Sequence, residues 1–236
     1  MTPNFPNLLS PAFQPFSTCP LDSTADPSST ASTDAESSGT PRKTYLLATI
    51  SQNMTLSTTP TFICTDSAGA SFALTIILQA PLTPAQLEGS GGGNGNGNGN
   101  EGRNGFDIDK LKKGHTVVVP NPRRHGVREG KQGYVRCTWR DLVIVPTSLD
   151  KLLVMSEKFV KVRANMVDNI QEGVVNCQSC DRKASEEELS RCKGCNEVRY
   201  CGKKCQTEGW IEKGHKSECK VLKVMGGMEL EDYIAG

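Results

Sequence analysis

Seven cysteines and one histidine fall between residues 177 and 219 in the pattern C-x2-C-x11-C-x2-C-x5-C-x3-C-x9-H-x3-C. They are Cys177, Cys180, Cys192, Cys195, Cys201, Cys205, His215 and Cys219. Thiolate sulfur and imidazole nitrogen are the donors zinc prefers, and eight of them fill two tetrahedral sites. A C-x2-C pair on a turn brings two sulfurs to one metal. Cys201 with Cys205, and His215 with Cys219, stand four residues apart, a separation that puts both side chains on one helical face. Two turn pairs are thus followed by two helical pairs. Four pairs combine into two sites in more than one way, and spacing alone does not choose. Sites filled by protein ligands leave no position for water, so the metals expected here are structural rather than catalytic. The segment holds few apolar residues, so its folding and its metal binding are expected to be one event.

The residues around the ligands carry a resemblance. VRYCGKKCQTEGWIEKGHKSECK is very similar to the second half of the MYND zinc finger, and CQSCDRKASEEELSRCKGC matches its first half. The similarity covers about 43 of the 236 residues. It implies a cross-braced arrangement. One zinc then takes Cys177, Cys180, Cys201 and Cys205, and the other takes Cys192, Cys195, His215 and Cys219. The nine residues before His215 are slightly more than the common form has, and Gly214 is placed to absorb the difference. The resemblance further implies capture of short proline-rich peptides, of the PxLxP kind, in a shallow groove. An extended proline segment loses little entropy on binding. The positions that match are Gln206, a hydrogen-bond partner for peptide backbone, and Trp210, an apolar wall. Packing against the zinc knuckle is the alternative role for Trp210, and packing is the expected role of Tyr200. Family association extends the expected role to transcriptional regulation by an adaptor.

The remaining sequence must carry this module, and its composition divides it. Residues 1–43 are rich in Ser, Thr and Pro, have four acidic residues, and have no basic residue before Arg42. Such a segment is expected to stay disordered. Phe5, Leu8, Leu9, Phe13 and Phe16 form an apolar scatter within it, otherwise readable as a docking motif. Residues 44–147 read as a mainly β domain. Tyr45–Ile50, Thr61–Thr65 and Ser71–Leu78 are β-rich runs separated by turn clusters, which predicts an antiparallel meander. Strand signals resume at 114–120, 133–138 and 141–146. About six short strands predict a small OB-like barrel. The Gly/Asn tract at 89–105 then reads as a mobile loop inside it. Leu149, Leu152, Leu153, Phe159 and Val162 suggest a helical connector over 148–170. The finger is assigned to 171–224 and a flexible tail to 225–236, with Gly226-Gly227 ending the last helix.

Charge separates two possible partners. Residues 171–236 carry 11 Lys and Arg against 12 Asp and Glu, a balance that favours protein over phosphate as the finger's partner. Residues 101–164 carry 14 basic against 7 acidic. Arg123, Arg124, His125 and Arg128 cluster there, and Phe106, Tyr134, Trp139 and Phe159 are the aromatics available to stack bases. Single-stranded nucleic-acid binding through this basic OB-like segment is therefore the alternative function. His115 and His125 have no partners at metal-ligand spacing. No nucleophile elbow, P-loop, dinucleotide fingerprint or SET-domain asparagine–histidine motif is present, so no catalysis is expected. Cys64 and Cys137 read as small buried apolar groups, and Cys19, like them, lacks a paired base. The opening residues resemble neither a secretory signal nor a mitochondrial presequence. No run approaches the roughly 20 apolar residues of a membrane span. The expected setting is intracellular, nucleus or cytoplasm, where clustered thiols serve as metal ligands rather than disulfides.

Overall fold

The computed structural model describes residues 5–22, 43–83, 106–164 and 174–228. The Gly/Asn tract at 89–105, most of the 23–43 stretch of the expected tail, the connector beyond Ala164 and the tail from residue 229 lie outside the described residues. The chain divides into two units, Pro11–Ile144 and Met1–Ser10 with Val145–Gly236.

The first unit is built on seven strands: β1 Tyr45–Asn53, β2 Thr61–Asp66, β3 Ser71–Ile77, β4 Thr116–Pro120, β5 Arg124–His125, β6 Tyr134–Thr138 and β7 Val143–Val145. Their order in the sheet is β5-β6-β3-β2-β1-β4-β7. The expected meander is present, since β1–β2 and β2–β3 pair antiparallel. The expected OB-like barrel is not. The sheet is open among the described residues, with β5 and β7 at its ends, and it is mixed, because β3 and β6 pair parallel. Turn residues and β-branched runs make strands. Closure depends on which edges meet, a non-local matter that strand count does not address.

β2, β3 and β6 alternate buried with less buried residues, the period-2 signature of a sheet with one face in a core. That face carries Leu46, Ala48, Ile50, Phe62, Cys64, Phe72, Leu74, Ile76, Val117, Val119, Val135 and Cys137. Phe16, Cys19, Leu82, Phe106, Leu111 and Leu142 complete the core. Two of these come from the expected disordered tail, and that expectation is corrected for residues 5–22. β2 ends at Asp66 opposite Ala48. Beyond it, the free edge of Tyr45 is taken by the early chain: Tyr45 N–H donates to the Ala12 carbonyl and Gln14 N–H to the Tyr45 carbonyl, both at 2.8 Å. Phe16 then stacks on Phe72, with ring centroids 4.6 Å apart. Its N–H donates to the buried Asp66 carboxylate at 2.7 Å, which also accepts from the N–H groups of Ala68 and Ala70. Composition argued for a solvated segment. Partners about 50 residues away supply the burial that its own neighbours cannot.

In the second unit, α1 Leu149–Ala164 buries Leu149, Leu152, Met155, Ser156 and Phe159. This face differs from the expected one at Leu153, which is half-buried, and at Val162, which is exposed. Residues 5–8 lie along the helix. The Ser156 hydroxyl donates to the Pro6 carbonyl and accepts the Leu8 N–H, each at 2.9 Å. Phe5 packs on Phe159 with centroids 5.2 Å apart, and Arg163 donates to the Phe5 carbonyl. Three of the five early apolar residues are thus neither scatter nor a free docking motif: Phe5, Leu8 and Phe16 are almost fully buried within their own chain, whereas Phe13 is half-buried against Tyr45 and Leu9 is 63% exposed.

Candidate functional site

Two β-hairpins and two helices carry the eight candidate ligands. β8 Val174–Asn176 pairs with β9 Lys183–Ser185, and β10 Ser190–Arg191 pairs with β11 Arg199–Tyr200. Each hairpin holds a C-x2-C pair in its turn, built the same way twice. Asp181 N–H donates to the Cys177 carbonyl at 3.0 Å, and Asn196 N–H to the Cys192 carbonyl at 2.8 Å. Both residues have positive φ, 57° and 62°. Asp and Asn tolerate this left-handed conformation better than other side chains, so the turn residues suit the turns. α2 Lys203–Ile211 carries Cys205 in its first turn, and α3 His215–Gly226 carries His215 and Cys219. Cys201 lies between β11 and α2, so Cys201 and Cys205 are not the helical pair that their spacing predicted. Gly214, at φ 77°, makes the break between them. This is how the extra spacing before His215 is accommodated. Lys158 of α1 forms an ion pair with Glu218 of α3 at 2.7 Å.

The ligand atoms assemble into two groups, Cys177/Cys180/Cys201/Cys205 and Cys192/Cys195/His215/Cys219, with the members of each within 4.8 Å of one another. The spacing left the pairing open, and the tertiary structure resolves it to the cross-braced form. A tetrahedron with Zn–S bonds of about 2.3 Å separates its sulfurs by about 3.8 Å. Cys180 and Cys201 sulfurs are 3.5 Å apart and Cys192 and Cys219 sulfurs 3.8 Å. His215 Nε2 lies 3.3 Å from the Cys192 sulfur and 3.7 Å from that of Cys195. Both groups fit a zinc ion.

Local electrostatics favour the metal-binding form at Cys177, Cys192 and His215, whereas burial and neighbouring sulfurs push the thiols of Cys195, Cys201, Cys205 and Cys219 up. Burial pushes the Cys177 thiol up, but backbone N–H groups of Cys180, Ser179 and Cys201 aimed at its sulfur more than offset this and bring it to about 6. At Cys192 burial acts the same way, and N–H groups of Cys195 and Gly194 again bring the thiol down. Each group therefore holds one sulfur biased toward thiolate, the form that binds metal. Burial holds the His215 imidazole below its ordinary range, which keeps it neutral, as a ligand must be. Two aromatic rings stand edge-to-face with the imidazole, Trp210 at 5.6 Å and Tyr200 at 6.1 Å between centroids.

A comparison with protein families matches residues 177–219 to the MYND finger. Residues 177–219 are a MYND finger. Its relatives agree. Over 51 residues the chain is 43% identical to Protein CBFA2T2 of Mus musculus, covering 22% of this chain and 8% of that protein. The Xenopus laevis Protein CBFA2T2 is 28% identical over 116 residues, or 48% of this chain and 19% of that protein. A SET and MYND domain-containing protein of Dictyostelium discoideum is 37% identical over 73 residues, 29% of this chain and 13% of that protein. The chain thus spans less than a fifth of the length of each of these relatives.

Gln206 and Trp210 sit one turn apart on α2 of the MYND finger. Gln206 is exposed, and Trp210 is 37% exposed. Tyr200 is fully packed, as expected. Two glycines were not singled out from the sequence. A Cβ on Gly209 would lie 2.5 Å from the Tyr200 ring, and a Cβ on Gly194 would lie 2.7 Å from the Cys219 sulfur. Gly194 stands between two ligands in the sequence, which is the signal that could have marked it. Gly194→Ala should displace Cys219 and weaken the second zinc by about 10- to 100-fold, the range for groups that position ligands. Chelator competition on the intact chain measures this. Gly202→Ala, with nothing within 4 Å of its Cβ, should leave both affinities unchanged.

The basic cluster of the first unit is divided: Arg124 and His125 are engaged with the fold, whereas Arg123 and Arg128 are exposed. Arg124 donates to the Cys19 carbonyl at 2.9 Å and lies over the Phe16 ring. His125 contacts Asp22 at 2.7 Å and stacks on Tyr134. His115 contacts the Lys110 carbonyl at 3.1 Å. Phe106 is in the core with Trp139 against it, and Phe159 is buried on α1. Of the four aromatics considered for base stacking, Tyr134 alone is exposed. Burial pushes the thiols of Cys64 and Cys137 up to about 12 and that of Cys19 up to about 11, which leaves them unreactive. Among the described residues no helix is long and apolar enough to cross a membrane.

Proposed function

We propose that the MYND finger is a protein-recognition module that captures short proline-rich segments, making this chain a non-catalytic adaptor. The observation that carries this is Trp210. It is the finger's largest side chain, yet it remains 37% exposed beside the exposed Gln206 and Ile211. Its edge rests against the ligand His215, so the exposed ring is held by the second zinc site rather than free to rotate. A rigid aromatic wall with an amide one turn away suits an extended proline segment, which needs an apolar surface and few backbone hydrogen bonds. The near-neutral charge of the finger supports protein over nucleic acid as partner. All eight donors are used in two four-ligand sites, and such sites build structure. The adaptor role is assigned to transcriptional regulation, and to the nucleus or cytoplasm, on the resemblance to the family.

The test is a titration of labelled PxLxP-type peptides, with scrambled controls, into the full chain and into Trp210→Ala, with zinc content measured in both. Trp210→Ala should lose at least about tenfold in affinity, as for an anchor residue at an interface, and should keep both zinc ions. Equal loss of peptide and zinc would make Trp210 a packing residue. Indifference of the wild-type chain to the PxLxP pattern would remove the proposed specificity.

A further inference from the structure

The two metal groups differ sharply in access to solvent. In the second, Cys192 is 3% exposed, Cys195 and Cys219 6% each and His215 1%. In the first, Cys177 is buried, Cys201 and Cys205 are half-buried, and Cys180 is exposed. Cys180 and Cys201 place their sulfurs 3.5 Å apart on the open side. The donor sets also differ. Four thiolates around one divalent ion carry a net charge of −2, against −1 for three thiolates and a neutral imidazole, so sulfur in the first group is more electron-rich. Reactivity toward oxidants follows thiolate character and exposure together, and both favour the same group.

We propose that Cys180 and Cys201 form an oxidative modification site, at which peroxides convert the first zinc group to a disulfide while the second remains intact. The Cys180 thiolate attacks one oxygen of hydrogen peroxide, giving the sulfenic acid and hydroxide. The Cys201 thiolate then attacks the sulfenic sulfur, forming the Cys180–Cys201 disulfide and a second hydroxide. Two thiolates supply the two electrons that peroxide accepts. Cys177 and Cys205 remain as two sulfurs, too few to retain zinc against water. Unlike simple loss of a metal, this oxidation leaves a covalent Cys180–Cys201 link in place of the zinc, so the interleaved second group keeps its frame. Cys201 and Cys205 tie the start of α2 to the β8–β9 turn, whereas α3 stays anchored through His215 and Cys219. Freeing the start of α2 would also disturb Gln206 and Trp210; that corollary alone rests on the peptide reading.

The experiment uses the full chain carrying two zinc equivalents, hydrogen peroxide in modest excess, a chromogenic chelator to follow zinc release, and mass-spectrometric mapping of disulfides. One zinc equivalent should leave at least about ten times faster than the other, following the exposure of its sulfurs. The first disulfide should join Cys180 to Cys201. Equal release rates, or a first disulfide that includes Cys192, Cys195 or Cys219, would overturn the proposal. Cys180→His keeps a donor while removing the exposed thiol, and it should slow the first release; should it fail to load two zinc ions, the wild-type disulfide map decides alone. Neither readout involves a peptide, so the outcome is independent of the proposed recognition function.

Discussion

Cys192→Ser should unfold the whole MYND finger and leave the sheet intact. The loss starts at one tetrahedral site, where a neutral hydroxyl replaces a buried thiolate that two backbone N–H groups stabilise. It cannot stay there, because the ligands interleave along the chain. Cys192 and Cys195 lie between Cys180 and Cys201, two ligands of the other group. Without the second metal, the stretch between them becomes an unsupported loop of the first. The finger also has little else to hold it. Its hairpins are two or three residues deep on each strand, too short to be stable alone. Zinc supplies about 10–16 kcal/mol of apparent binding free energy to small fingers, and that energy is their folding energy. Metal analysis should find zinc reduced from two equivalents, and amide exchange over residues 174–228 should lose protection while β1–β6 keep theirs. A Cys192→Ser chain that retained two zinc ions and a protected finger would refute the coupling.

Phe16→Ala should destabilise the sheet unit by about 3–5 kcal/mol, the range for truncating a fully buried phenylalanine. Phe16 is 1% exposed and stacked on Phe72, and it lies under Arg124. Its removal leaves a cavity beneath β3, while the backbone N–H that Asp66 holds is retained. For a unit of this size the melting temperature should fall by roughly 10–15 °C. Leu21→Ala, in the same segment but 54% exposed, should stay within about 0.5 kcal/mol. If both substitutions were silent in thermal unfolding, the segment would be a tail and not part of the fold.

These two expectations differ in how far they could be read from the chain. The finger was legible because zinc chemistry is local in its demands. Ligand types, C-x2-C turns and the helical pair of His215 and Cys219 all lie within a few residues of the metal they serve. The strands of the meander were legible for a similar reason: alternation and turn residues are short-range signals. The helix at Leu149–Ala164 was legible too, although which of its residues would be covered was not, since Ser156 is buried only because Pro6 and Leu8 come to bond it.

The sequence by itself determined that two zinc ions would be bound, which eight residues would bind them, and that a mainly β domain precedes them. Only the tertiary structure decided the rest. It assigned the ligands to their two groups by geometry and showed one group open and the other closed. It left the sheet open where strand count suggested a barrel, and it drew residues 5–22 into two cores. Each of these outcomes depends on surfaces that meet across tens to more than a hundred residues, between Phe16 and Asp66 or between Leu8 and Ser156. Burial is a property of the partner as much as of the residue, and no local pattern names the partner.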